Sequence, residues 1–335
     1  MLKLKYLFEN YDLAKECLAL YDYEKEGLDE MLSHFRISSN AIYPFRTKSG
    51  KTCFLRLSPC EEKLLNDIRS EVLLVNWLNS EGYPAMKTHP MKSGIPATQI
   101  ATKWGDYNVT CFEKVPGKTL EEADGSPELC YGYGKTLGKL HSLMMDYPYS
   151  LTRRDHTDLI AEVRGRLVKY NAPGFILDEL TEVEKELQSL PITVENYGIV
   201  HYDFEPDNVM YDPKTGAFGV IDFDDAIRCW YALDIVRAID AIDDVMGEPE
   251  NAANHPELLD QAFKHFLDGY MSEKSLTKEQ TDTLPLMRRL VRLQSYATIL
   301  HVMSEEVSES PDWMLEIKEK LRRSKQKIES GIAEK

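Results

Sequence analysis

Ile199-Val-His-Tyr-Asp-Phe-Glu-Pro-Asp-Asn-Val-Met-Tyr-Asp212, a short turn, and Gly219-Val-Ile-Asp-Phe-Asp-Asp-Ala226 form the stretch whose reading decides the fold. Asp203 precedes Asn208 by five residues, and Asp222 follows fourteen residues after that, closing the apolar run Phe218-Gly-Val-Ile221. Moving a phosphoryl group calls for one carboxylate to take a hydroxyl proton and for hard oxygen ligands to hold a divalent cation on the phosphates. Asp203 offers the first; the Asn208 amide oxygen and the Asp222 carboxylate offer the second. Taken singly, each reads as a turn or cap residue. Their order and spacing make them one set.

Outward from this stretch the chain changes character twice. Residues 7–33 carry apolar positions at helical spacing, with Leu13, Cys17, Leu20 and Tyr21 on one face, and predict one or two helices. Residues 34–57 read as a strand, a small-residue turn, a second strand, a hairpin turn at Lys48-Ser-Gly-Lys51 and a third strand. Residues 61–81 return to helical periodicity, ended by Gly82, and two further strands are expected near 98–103 and 107–114. From 118 onward the pattern is mainly helical. It predicts helices over 131–143, 175–190, 233–246, 256–272, 280–304 and 311–329, broken by a strand-rich hairpin at 198–223. Gly134 and Gly138 predict a helix pressed close to a neighbour.

The form His-x-Asp-x-x-x-x-Asn followed by Ile-Asp-Phe-Asp-Asp resembles the catalytic loop and metal-binding Asp of the protein-kinase-like superfamily. It is similar to the small-molecule branch of aminoglycoside phosphotransferases, choline kinases and type II homoserine kinases. Phe54-Leu-Arg-Leu-Ser58, Leu137-Gly-Lys-Leu-His141 and Trp230-Tyr-Ala-Leu-Asp234 carry the same resemblance. It implies a two-lobed α+β fold: a helical extension over 1–33, a nucleotide-binding lobe over 34–116 with a five-stranded antiparallel sheet and one helix, and a mainly helical lobe over 117–335. It further implies an ATP- or GTP-dependent transfer, with magnesium, to a hydroxyl of a small molecule such as an amino alcohol, homoserine or an aminoglycoside.

Carried over residue by residue, the resemblance makes Asp203 the catalytic base and Asn208 and Asp222 the metal ligands. Arg56 stands at the third-strand position where protein kinases carry Lys, with Glu71 on the next helix as its partner; the plain alternative is a surface ion pair. No Gly-x-Gly-x-x-Gly is present, and Ser38-Ser-Asn-Ala41 occupies its place, so Ser39 and Asn40 are the candidates to cover phosphates. The Glu113 carbonyl and Val115 amide align with the positions that bind the purine edge. His201 is expected to support the loop, and Asp234 to brace it. Tyr202 replaces the Gly often found in this branch. Asp224 and Asp225 read either as contacts to metal or acceptor, or as turn caps and partners of Arg228.

Composition bounds these readings. The 335 residues are 43% hydrophobic, enough for a sizeable core, and the net charge of −16 argues against nucleic acid as a partner. The six cysteines contain no Cys-x-x-Cys pair, and no stretch free of charge reaches membrane-spanning length, so a cytoplasmic protein with no membrane association is expected. Only five residues separate Asp225 from Tyr231, which leaves no room for a protein kinase's activation loop. A nucleotide-binding scaffold without turnover is the alternative, motivated by the absent glycine loop and by Arg56. For the acceptor, Asp240, Asp243, Asp244 and Glu248 read first as a solvated helix face and second as a site for a cation, whereas Arg288, Arg289 and Arg292 read either as a carboxylate site or as an ordinary salt-bridged helix.

Overall fold

The computed structural model describes residues 11–37, 40–122, 126–149, 153–242, 255–303 and 312–333. The chain divides into two compact units. The first gathers Met1–Gly125, Tyr149–Arg153 and Pro206–Ala226; the second holds Ser126–Pro148, Arg154–Glu205 and Ile227–Lys335.

The first unit is built on a five-stranded antiparallel sheet of order β1-β2-β3-β5-β4, comprising β1 (Arg36–Ile37), β2 (Ala41–Arg46), β3 (Thr52–Pro59), β4 (Ala97–Thr102) and β5 (Gly105–Glu113). This is the sheet expected from the sequence. The period-two alternation of β3 explains its two faces. Cys53, Leu55 and Leu57 enter one core with Tyr43, Phe45, Val109 and Cys111. That core also takes Leu13, Ala14, Cys17, Leu18 and Tyr21, from α1 (Asp12–Leu18) and the turn after it. Leu13 and Leu18 each contribute about 1.5–3 kcal/mol by full burial, so the N-terminal helix is anchored by the same hydrophobic burial that holds the sheet. A five-residue α2 (Leu28–Leu32) follows. The alternate residues of β3, Arg56 and Ser58, are buried on the opposite face, where Ile68 and Val72 of α3 (Leu65–Ser80) cluster with Ala97. The predicted start of α3 at residue 61 is too early, because the chain leaves β3 at Pro59 through a turn.

A smaller sheet in this unit joins β6 (Lys118–Thr119), β8 (Val209–Asp212) and β9 (Ala217–Val220) in the order β6-β8-β9. Segment 84–86 runs parallel beside β9, with Val220 N–H donating to Pro84 O at 2.9 Å and Met86 N–H to Val220 O at 2.8 Å.

The second unit carries α4 (Pro127–Met144), α5 (His156–Lys169), α6 (Gly174–Gln188), β7 (Tyr197–Val200), β10 (Ile227–Trp230), α7 (Ala232–Asp240), α8 (His255–Glu273), α9 (Lys278–Asp282), α10 (Leu284–Met303) and α11 (Asp312–Ala333). The expected close approach of the glycine-bearing helix is present: a Cβ on Gly134 or Gly138 would collide with the carbonyls of Phe266 or Tyr270 in α8. Three features depart from the sequence reading. β7 pairs with β10, not with β8, so the hairpin at 198–223 reduces to β8–β9. The helix α5, started by an Asp155–Asp158 capping box, is not among the helices expected from the sequence. The helix expected over 280–304 is two helices, because the chain reaches Thr283 and then Pro285, which cannot continue the α-helical ladder. The last residues of the helix expected over 233–246 lie outside the described residues.

Candidate active site

In the first unit, β8–β9 pairing decides where Asn208 and Asp222 stand. Val209 faces Val220 in the ladder, and Ile221 N–H donates to Asn208 O at 3.0 Å, so both residues lie at the same end of the hairpin. Asn208 closes a short 3-10 turn (Pro206–Asn208) and is buried. Asp222 is exposed and adopts a left-handed backbone with φ 61°. Asp tolerates that region better than most residues, and the bend turns the chain away just past the strand. A neutral amide oxygen beside a carboxylate is a hard donor set that suits magnesium, which keeps waters and phosphate oxygens for the remaining positions. Among the described residues no group of three or more His, Cys, Asp or Glu side chains is placed to hold a metal ion.

Arg56 and Glu71 form a buried bidentate pair, not the surface pair of the plain alternative. Nη1 donates to Oε1 at 3.0 Å, Nη2 donates to Oε2, and the side chains are 4% and 0% exposed. Burial works against the guanidinium charge, but Glu71, then Asp222 and Asp225, outweigh it and leave the Arg56 pKa above its ordinary value. The guanidinium also lies 4.8 Å from the centroid of the Phe112 ring.

Two further cations in this unit were missed by sequence reasoning. Lys63 ion-pairs with Asp224, and burial lowers its pKa although Asp225 favours its charge. Arg153, half-buried, donates to Phe223 O at 2.9 Å, to Asp224 O and to Asp67 O at 2.6 Å, which staples the segment after Asp222 to the start of α3. Asn40 belongs to the same network. Its Nδ2 donates to Asp224 Oδ2 at 2.9 Å, and its Oδ1 accepts from the Ser58 hydroxyl at 2.6 Å. Asp224 is thus engaged by Lys63 and Asn40, and the expected Arg228 partner lies in the second unit, on β10. Ser39 lies outside the described residues.

At the end of β5, the Glu113 side chain reaches Lys51 at 2.6 Å, and its N–H donates to Lys87 O at 2.8 Å. The Val115 side chain occupies the space a Cβ on Gly219 would need, which ties this segment to β9.

In the second unit, Asp203 is half-buried on the loop after β7. The loop is braced by Asp234, the third residue of α7, which is fully buried. Its carboxylate accepts from His201 N–H at 2.7 Å and Tyr202 N–H at 2.8 Å, and faces His141 Nε2 at 3.2 Å. Asp234 therefore holds the loop and not the start of its own helix. Burial drives the His141 imidazole below its ordinary pKa despite the neighbouring carboxylate. Tyr133 stacks on Phe204 at 5.2 Å and donates its hydroxyl to Phe204 O at 2.6 Å. Tyr202 has φ 75°. That left-handed backbone explains why glycine suits the position, and an aromatic residue there carries strain of about 1–3 kcal/mol.

The family model of the phosphotransferase enzyme family matches residues 37–269, more than half the chain. The chain belongs to that family. Amicoumacin kinase of Bacillus subtilis (strain 168) is 24% identical over 305 residues, spanning 90% of this chain and 87% of that protein. Among solved structures, amicoumacin kinase hAmiN in complex with AMP-PNP, Ca2+ and Ami superposes with a TM-score of 0.82 at 21% identity, over 98% of this chain and 95% of that one. A microcompartment-associated aminopropanol kinase gives 0.69 at 18% identity, over 94% and 95%. The fold is the two-lobed, protein-kinase-like α+β fold, and this member of the phosphotransferase enzyme family is a small-molecule kinase.

For this phosphotransferase the arginines of α10 are already engaged. Arg288 pairs with Asp240 at 2.9 Å, Arg289 with Glu179 and Glu186 at 2.6 Å each, and Arg292 donates to Lys327 O at 3.5 Å. Asp243, Asp244 and Glu248 lie outside the described residues. No described helix is long and apolar enough to cross a membrane.

Proposed function

We propose that this phosphotransferase moves the γ-phosphoryl group of ATP to a hydroxyl of a small amine-bearing alcohol. Asp203 orients that hydroxyl and accepts its proton. Asn208 and Asp222 hold magnesium on the phosphates. Arg56, kept rigid and charged by Glu71, meets phosphate oxygens; Ser39 and Asn40 cover them; the Glu113 carbonyl and Val115 N–H take the purine edge. Residues 34–116 serve the nucleotide, 117–335 serve catalysis and the acceptor, and the N-terminal extension supports the sheet.

The observation that carries the reading is the convergence of Asn208 and Asp222 on one hairpin end, linked by the 3.0 Å bond from Ile221 N–H to Asn208 O. A bound magnesium ion would neutralise charge on the transferring phosphate, which is the main demand of a loose transition state. Asp203 then needs position more than basicity, and its half-buried setting leaves it open to an acceptor. A buried, doubly bonded Arg56 spends no conformational entropy when nucleotide arrives. An amine-bearing acceptor is favoured over a carboxylate-bearing one on two grounds. The α10 arginines already have carboxylate or carbonyl partners, and the chain carries a net charge of −16. The names of the related amicoumacin and aminopropanol kinases point the same way. ATP use and free thiols fit the cytoplasmic setting read from the sequence.

The test is a magnesium-dependent ATP-consumption screen over amino alcohols, aminoglycosides, amicoumacin, homoserine and simple sugars, with GTP as the competing donor and Asp203→Ala as the control. An amine-bearing alcohol without a carboxylate that is phosphorylated by the wild type and at least a hundredfold more slowly by Asp203→Ala supports the reading. Preferential turnover of homoserine, or an Asp203→Ala rate equal to wild type, contradicts it.

A further inference from the structure

We propose that Tyr202 is a positioning residue that sets the carboxylate of Asp203 through a locked, left-handed backbone. The proposal rests on the role given above to Asp203. A bulky aromatic residue at φ 75° is an outlier that the surroundings must hold in place. Glycine would take the same backbone without strain. The ring is therefore what the position gains in exchange.

That ring is gripped at several points. It is buried, with the guanidinium of Arg237 4.4 Å and that of Arg154 5.3 Å from its centroid. Its hydroxyl accepts from Gln294 Nε2, and Gln294 Oε1 in turn accepts from Arg237 Nη2. The Tyr202 N–H donates to Asp234 Oδ1 at 2.8 Å. Arg237 also reaches Glu205, with Nη1 3.4 Å from Oε1. One arginine of α7 thus fastens the residue before Asp203 and the second residue after it. α10, through Gln294, and the segment before α5, through Arg154, add further anchors. Asp203 stands on a short bridge clamped on both sides, and its backbone has little freedom to swing the carboxylate. Cation–π contacts of this kind strengthen when desolvated, as here. A displacement near 1 Å of a reacting group costs on the order of a hundredfold in rate, so a clamp at this point has a kinetic consequence.

The discriminating variant is Tyr202→Gly, which removes the ring but suits the backbone, so any loss is due to the lock and not to a distorted main chain. Tyr202→Phe keeps the ring between both guanidinium groups and removes the hydroxyl that accepts from Gln294. The probe is magnesium-ATP with water as acceptor, read as phosphate release, with Asp203→Ala setting the floor. The expected result is a kcat at least tenfold lower in Tyr202→Gly, a KM for magnesium-ATP within threefold of wild type, and a Tyr202→Phe kcat within threefold of wild type. A residue that only filled space would lower the Tm and leave the kcat of the folded protein alone. Tyr202→Gly at wild-type kcat, or a loss confined to KM, overturns the proposal. If wild type releases phosphate no faster than Asp203→Ala, water does not report on Asp203, and amide exchange over residues 199–206 decides the lock. Exchange at least tenfold faster in Tyr202→Gly supports it, and unchanged exchange overturns it.

Discussion

Asp222 and Asp234 lie twelve residues apart on the same motif-bearing stretch, yet their surroundings are opposite. Asp234 is fully buried and accepts two backbone N–H bonds at 2.7 and 2.8 Å, with His141 Nε2 at 3.2 Å. Asp222 is exposed at a strand end in a left-handed conformation, beside a segment stapled down by Arg153. A carboxylate whose acceptor capacity is filled by the protein serves the fold, because burying it unpaired would be prohibitive. A carboxylate at an exposed strand end stands where a ligand can reach it.

The sharpest way to break this comparison is to remove each carboxylate in turn. Asp234→Ala strands two buried N–H donors and the His141 ring, and should cost about 3–5 kcal/mol of stability in urea or thermal unfolding. Asp222→Asn keeps a residue that tolerates the left-handed region, and should change stability by no more than about 0.5 kcal/mol. Equal losses from the two would erase the distinction.

A smaller effect concerns pH. Burial holds His141 below its ordinary value of 6.5, and burial does the same to His156. The unfolded chain takes up protons near pH 6.5 that the folded chain refuses, so this stability is present above that pH and is lost as pH falls toward the folded values. The Tm should therefore drop between pH 7.5 and 5.5, and the drop should shrink in His141→Gln. A Tm that stays flat or rises on acidification contradicts the buried, neutral assignment.

Much of this arrangement was legible in the sequence, and the reasons are local. The β8–β9 hairpin, the β2–β3 hairpin and the core face of α1 follow from alternation, turn residues and helical spacing within short windows. The glycines of α4 announced a close helix contact because only a missing side chain permits it. α5 could have been found: Asp155 and Asp158 form a capping box, and Leu159, Ile160, Val163 and Leu167 keep helical spacing. β10 is four residues long and carries Arg and Cys, too short a run to announce a strand, so its pairing with β7 was hidden. The rest of the site is long-range. Lys63 meets Asp224, Arg153 meets Asp67, and Gln294 meets Tyr202 across separations of 86 residues or more, where spacing carries no signal. Position 202 shows both limits at once: its departure from glycine was visible, but the left-handed backbone that makes the departure costly was not.

The most direct test of the account is a calorimetric titration of ATP, with and without magnesium, into wild type, Asp222→Asn and Asp203→Asn, paired with a phosphoryl-transfer assay on the same samples. The account predicts that Asp203→Asn binds magnesium-ATP like wild type and loses transfer, while Asp222→Asn loses the magnesium-dependent part of nucleotide binding. Wild-type magnesium dependence in Asp222→Asn, or full transfer by Asp203→Asn, would contradict it.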